Sequence, residues 1–556
     1  MRDPWLAAIL VLAAGLRIYG LGHGLPDVYN PDEVNIMARA LSIARDPNPH
    51  YFLYPNFFFF LLFGVMGGLF VVGRLVGRYG NVAAFEARFF EDPSDFYLAG
   101  RLFGVLCALA TIVLTYRLAA KHFGRTAARA AALFMAVAYF HVRDSHYLKH
   151  DVPAGLLLVL ALTAFDRIRE DPRIRSYVVS GLAMGLAFAT HYYTIFLAPA
   201  FVAYHLVVAR FRGFAKVLLT GAVAGATFFA LSPFVVIDLP IAIDHMMANR
   251  QVVVDRSVSD GALFLPSVPA YVQFMIQQGF GYLLFMLVVV GWVLMARRDR
   301  RLLTLWGTFP LLFFLFIGYT FFAGRYLNPI LPSLAVAAGL AVASLSERFG
   351  QRAAWAAALL ACLQPLYNDI QVDRLFAGED TRTLAKEWIE DELPDGTSLA
   401  LQSYSVPVPQ SAQSIRESLA HNDTLDELER KGKYSHLLSV AEGNRPTYGL
   451  FFLGRGDEKN RTYFDYQEVV AQELKPLAAR GVEAIVLRYP PGPMPPPVKG
   501  FFESVARNGT RLARITPFRE EREHPPHPYL DNEDWPARAG LSHKGPLVEI
   551  WSLEKP

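Results

Sequence analysis

The chain has 556 residues, of which 53% are hydrophobic and 19% charged, more than one ordinary soluble domain needs and too apolar for one. A formal net charge of +3, with no Lys/Arg block, excludes a nucleic-acid binder. The two cysteines, Cys107 and Cys362, both sit in apolar runs, which rules out a disulfide framework in the C-terminal part. After Tyr367 charges and prolines become frequent and no apolar run approaches membrane length. The simplest division is a membrane part, 1–370, followed by a soluble part, 371–556.

The run from Trp5 to Leu16 is followed by Arg17 and Tyr19, which fits a retained first helix better than a cleaved signal. A crossing helix needs about 20 apolar residues, because backbone groups must be satisfied within it. Candidate spans are 5–21, 98–119, 127–146, 152–166, 176–190, 193–209, 215–236, 275–296, 302–322, 327–346 and 353–370. The loops Lys121–Arg129, Arg167–Arg175, Arg210–Lys216, Arg297–Arg301 and Arg348–Arg352 are rich in Lys/Arg and fall on one face, which marks that face as cytoplasmic. The N-terminus is then inside, and residues 22–97, 147–151, 191–192, 237–274, 323–326 and the C-terminal part are outside. This describes a multi-pass protein of a plasma (inner) membrane with an extracytoplasmic C-terminal domain. The stretch 55–76 would flip the register if it crossed. It is read as an amphipathic or re-entrant segment at the outer interface, the alternative being a twelfth span.

Ionisable groups gather on the outer face. Asn30-Pro31 starts a helix with Asp32 and Glu33 in its first turn, where the helix dipole favours acids. Val34, Met37, Ala38, Leu41 and Ala44 are spaced for one apolar face. The same pattern is a good helix start with no chemistry. The second outer loop carries Arg143, Asp144, His146, Lys149, His150 and Asp151; Asp151 before Val-Pro also fits an N-cap. His191-Tyr192-Tyr193 and Gly324-Arg325-Tyr326 lie at the same edge, and Arg101 near the outer end of its span. Singly these are ordinary structural residues. Charges at a bilayer edge turn towards a water-filled cavity, where carboxylates can serve as base and cations can hold a phosphate. A divalent metal near the two acids is left open, though no tight His/Cys spacing demands one.

In the C-terminal part, residues 381–392 read as an amphipathic helix, 398–402 as a strand, 467–479 as a helix, 482–489 as a strand and 547–553 as a last strand. That alternation predicts a small α/β domain. PPGPMPPP (490–497) reads as a rigid polyproline-like loop.

Asp32-Glu33 after the first span, Tyr54-Pro55 before an aromatic run, Asp151 opening a later span, HYY (191–193) and RYLNPILP (325–332) together resemble the polyprenyl-phosphate-dependent membrane glycosyltransferases of the C-type fold. Protein O-mannosyltransferases and aminoarabinose transferases are the nearest in pattern, over residues 5–345. The resemblance implies an α-helical polytopic glycosyltransferase moving a hexose or pentose from a lipid-phosphate donor to a hydroxyl acceptor. Asp32 would be the catalytic base, Glu33 its orienting or acceptor-contacting neighbour, and Asp151 a supporting carboxylate. Arg325 would hold the lipid phosphate, with Tyr326, Lys149, His150, His191, Tyr192, Tyr54 and Arg101 as further substrate-binding positions. Relatives often carry Lys-Tyr where this chain has His191-Tyr192. A histidine is charged only part of the time near neutral pH, which makes it a weaker phosphate ligand than the lysine. A transporter, with polar groups at mid-bilayer and two related halves, and a non-catalytic binder of lipid-linked sugar are the rival readings.

Overall fold

The structure is a computed structural model, and it describes residues 3–251, 265–402, 404–421, 434–443, 446–454, 462–489, 494–520 and 540–553. The chain divides into two compact units. Met1–Leu21, Asp32–Leu69 and Tyr97–Asp373 form the first, and Gly22–Pro31, Phe70–Phe96 and Arg374–Pro556 the second.

The first unit is helical. Its elements include α1 (Pro4–Ile18), α2 (Pro31–Ser42), α3 (Phe57–Leu75, whose last turns belong to the second unit), and, after α4 (Val82–Glu91) of the second unit, α5 (Ser94–Ala136), α6 (Tyr139–Asp144), α7 (Asp151–Glu170), α8 (Ile174–Thr190), α9 (Leu197–Ala209) and α10 (Phe214–Leu231). Helices 281–298, 300–317, 331–349 and 351–377 follow. Among the described residues seven helical segments are long and apolar enough to cross a membrane, and Pro4–Ile18 and Ile174–Thr190 are shorter apolar helices. The protein is a multi-pass membrane protein.

Three details differ from the sequence reading. The spans 98–119 and 127–146 form one long element broken at Gly124, whose φ of 81° no helix tolerates, so the expected basic loop is a sharp corner. The second of these spans ends at Ala136, and the short α6 carries the chain on to Asp144. The stretch 55–76 is not amphipathic. It is an unbroken 19-residue helix with a mean hydropathy of 2.1, apolar all round up to Arg74. Its four internal glycines leave it helical, since in apolar surroundings the backbone groups are satisfied within the helix.

Helix 331–349 is the centre of the first unit, with every residue from Leu331 to Ala343 buried. Small residues let its neighbours close on it. A Cβ added at Gly339 would lie 2.3 Å from the Ala127 carbonyl oxygen, and one added at Gly291 only 1.8 Å from that of Ala337.

The second unit carries a six-stranded sheet in the order β3-β2-β1-β4-β6-β5. The strands are β1 (Ser398–Gln402), β2 (Gly449–Leu453), β3 (Tyr463–Phe464), β4 (Ala484–Arg488), β5 (Gly509–Ile515) and β6 (Val548–Leu553). β1 to β4 pair in parallel, while β6 runs antiparallel between β4 and β5. Alternate residues of each strand face opposite ways. Leu399, Leu401, Leu450, Phe452 and Val486 pack with Ala385 and Ile389 of helix 381–392 on one face. Ala400, Phe451, Ile485 and Leu487 pack with Leu477, Phe501 and Val505 on the other. This is the expected α/β domain with β2, β3 and β5 added. The predicted helix over 467–479 is two short helices, 466–471 and 475–479, interrupted at Leu474 with φ 63°. The expected polyproline loop is also revised: 490–493 lie outside the described residues, while Pro496 and Pro497 open a helix, 496–508. Proline in a first helical turn removes only a donor that has no partner there.

Candidate active site

All of the sequence-derived site residues lie in the first unit, and most of them converge. The carboxylate of Asp32 sits 3.2 Å from Lys149 Nζ and 3.6 Å from an Arg325 guanidinium nitrogen. Beside this trio runs a ladder of rings. Tyr54 and His150 have centroids 3.9 Å apart, His150 and His191 4.4 Å, and His191 and Tyr193 3.8 Å. Arg325 lies 5.6 Å from the centroid of the Tyr326 ring.

A cavity of about 310 Å³ adjoins the cluster. Tyr54, His150 and His191 form a polar wall that continues through Tyr193 to the apolar rings of Phe313, Phe196 and Phe316, with Asp151, Arg325, Asn249, Ile195 and Ile317 also lining the cavity. Tyr192 and Tyr326 also line it, with the Tyr192 hydroxyl donating to the Phe52 carbonyl at 3.2 Å. One end suits a charged or hydroxylated group and the other a hydrocarbon chain.

Of the two roles expected for Glu33 the geometry favours orienting Asp32 over contacting the acceptor, and Arg101 is its partner. Glu33 is fully buried and Arg101 is 1% exposed. Arg101 donates to both Glu33 carboxylate oxygens, at 2.8 and 2.9 Å, and to the Leu21 carbonyl. Glu33 also accepts from the Leu148 backbone N–H at 2.7 Å. Neither side chain is presented to a substrate; together they fasten α2 to the loop that carries Lys149 and His150. The pairing also explains why the buried face of α2 is Glu33, Ile36, Met37 and Ala40 rather than the predicted one. Val34 and Ala38 are exposed, since drawing Glu33 inward turns the helix about its axis and leaves Asp32 on the accessible side.

The electrostatics separate the ionisable groups. Burial opposes the charge on Asp32, but Lys149 and then Arg325 outweigh it and hold the carboxyl at about 2. Burial pushes His150 down to about 3 against the attraction of Asp32. It drives His191 well below its ordinary value, helped by His150. Both imidazoles are therefore neutral at physiological pH, and Lys149 and Arg325 carry the positive charge. Because the Asp32 value is depressed, its attraction to the cations is complete above its ordinary 3.8 and is lost only as pH falls through about 2. Binding of a phosphodiester anion, whose own charge is constant there, should vary less than about twofold between roughly pH 5 and 8, the window in which an unperturbed histidine titrates. A titration of binding against pH checks this; a tenfold fall across that window would show that a histidine supplies the charge.

Among the described residues the group most able to hold a metal is not the acidic pair. It is His150, Asp151 and His191, whose ligand atoms lie within 4.8 Å of one another, and the buried Nδ1 of His150 has no hydrogen-bond partner. The fit is poor. His191 Nδ1 accepts the Tyr193 N–H at 3.3 Å, so a metal at its other ring nitrogen would have to displace a proton. Arg325 also lines this end of the cavity, where its fixed charge opposes a cation.

Comparison with known proteins places this geometry in context. Residues 87–237 match the family described as dolichyl-phosphate-mannose-protein mannosyltransferase. No curated protein matches the chain. Among solved structures, ArnT from Cupriavidus metallidurans in the apo state is 15% identical, with 92% of this chain and 96% of that one covered and a TM-score of 0.54. The Archaeoglobus fulgidus oligosaccharyltransferase, in complex with Zn and sulfate, is 13% identical over 87% of this chain and 68% of that one, with a TM-score of 0.50. The chain has the C-type glycosyltransferase fold. Within that fold the matched segment runs from α4 through α10, so it contains Lys149, His150, Asp151 and His191.

Sequence reading missed Asn249, Phe196, Phe313 and Phe316 in the cavity wall. Phe313 and Phe316 stand three apart on an apolar helix, where nothing distinguishes a cavity wall from a lipid-facing side.

Proposed function

We propose that this protein moves one sugar from a polyprenyl-phosphate donor to a hydroxyl acceptor, with inversion at the anomeric carbon, at the outer face of a plasma membrane. The observation that carries the reading is Asp32 bracketed by Lys149 and Arg325, beside a cavity that changes from polar to apolar along its length. The isoprenoid chain lies along Ile195, Phe196, Phe313, Phe316 and Ile317, and the phosphate faces Arg325 and Lys149. Asp32 takes the acceptor proton as the acceptor oxygen attacks the anomeric carbon. The bond from that carbon to the phosphate oxygen breaks, its electron pair stays on the lipid phosphate, and the two cations stabilise the charge that develops there. In this reaction the phosphate also draws the cations away from Asp32 and so raises its basicity when a base is required. Asp151 supports the polar end of the site.

The basic loops support an extracytoplasmic cluster with α3 making no net crossing, since a crossing there would put Asp32 and Lys149, 3.2 Å apart, on opposite faces. A radiolabelled polyprenyl-phosphate-sugar assay on the purified protein tests the reading: transfer to a hydroxyl acceptor supports it, while uptake into vesicles or binding without turnover would replace it. Chelation with EDTA is expected to change the rate by less than about twofold, since two fixed cations supply the charge that a metal would otherwise bring. Abolition of transfer by EDTA, restored by a divalent ion, would reverse the assignment.

A further inference from the structure

The two cations of the site come from separate segments, Lys149 from the loop after α6 and Arg325 from the 3₁₀ turn Gly324–Ile330. Their spacing has to be set by something. A 3₁₀ turn has three residues per turn, so Asn328 lies on the same side of it as Arg325. Asn328 is 2% exposed, and its Nδ2 donates to Oδ2 of Asp144 at 2.6 Å. The other oxygen of Asp144 accepts from Arg143 Nε at 2.8 Å, with a second Arg143 guanidinium nitrogen in ion-pair contact at the same distance. Arg143 and Asp144 are 2% and 6% exposed. Asp144 ends α6, five residues before Lys149. One buried carboxylate thus ties the turn that bears Arg325 to the segment that bears Lys149.

We propose that Asp144 and Asn328 are positioning residues that fix the distance between Lys149 and Arg325, and with it the recognition of a lipid phosphate. The inference rests on the glycosyltransferase reading above. Asn328→Asp would set two carboxylates against each other at a buried contact, which forces the turn away or traps a proton. Asn328→Ala would delete the bond alone. The exchange Asp144→Asn with Asn328→Asp rebuilds an amide–carboxylate pair with its roles reversed.

The test measures binding of undecaprenyl phosphate and of uncharged undecaprenol to the full-length protein in nanodiscs. For Asn328→Asp the Kd for the phosphate should rise about tenfold or more, while that for undecaprenol changes less than about twofold; the exchange variant should return to within about threefold of wild type. A merely structural role would weaken both ligands alike. Unchanged phosphate binding in Asn328→Asp, equal loss of both ligands, or failure of the exchange to rescue would each overturn the inference. Should the wild-type protein not prefer the phosphate to the alcohol, the glycosyltransferase reading itself falls, and this inference with it.

Discussion

Asp32→Asn is expected to lower turnover by about 10²–10⁴-fold, the usual contribution of a general base, while the protein remains folded. The substitution keeps the side chain's shape and removes its charge and its capacity to take a proton. Asp32 is 35% exposed and the amide keeps its shape, so the fold should survive even though the buried Lys149 loses an anion. Its partners Lys149 and Arg325 are released from their shared anion, and both become more available to a phosphate. The Michaelis constant for the donor should therefore stay level or fall while kcat drops. Steady-state kinetics on the purified variant, with a melting curve recorded alongside, checks both parts. Near-full activity would remove Asp32 from the role of base. A rise in KM with kcat unchanged would make it a binding residue instead.

Glu33→Ala should be the most destabilising single change at the site, by about 3–5 kcal/mol, because breaking a buried pair leaves the partner charge uncompensated. Arg101 would lose both carboxylate contacts at 1% exposure, and the Leu148 N–H would lose its acceptor. Glu33→Leu with Arg101→Met replaces the pair by apolar side chains of similar length. It should recover much of the stability, since a well-packed apolar substitute for a buried ion pair is often neutral. Activity should stay low in the double variant, because α2 is no longer pinned to the loop carrying Lys149 and Asp32 loses its register. Thermal unfolding in detergent separates the two effects. A melting temperature for Glu33→Ala equal to wild type would show that the ion pair contributes nothing to the fold.

The neighbouring acids Asp32 and Glu33 show why sequence could go only so far. They occupy adjacent positions in one helix turn and read alike, as acids favoured by the helix dipole. What separates them is Arg101, 68 residues from Glu33 in the chain, whose long-range pairing decides which carboxylate is buried and which stays accessible. A pairing over that distance leaves no periodic mark.

The sequence by itself determined the multi-span architecture, because hydrocarbon enforces long apolar runs and those runs are legible one residue at a time. It also determined the strands at 482–489 and 547–553, whose β-branched content is local, and the short list of ionisable residues from which the site is drawn. Tertiary structure alone decided the rest. The distance from Asp32 to Lys149 and Arg325, the neutrality of His150 and His191 and the Asp144–Asn328 tie all depend on contacts between segments far apart in the chain. Burial and Coulomb interaction depend on separation in space, which local residue patterns do not encode.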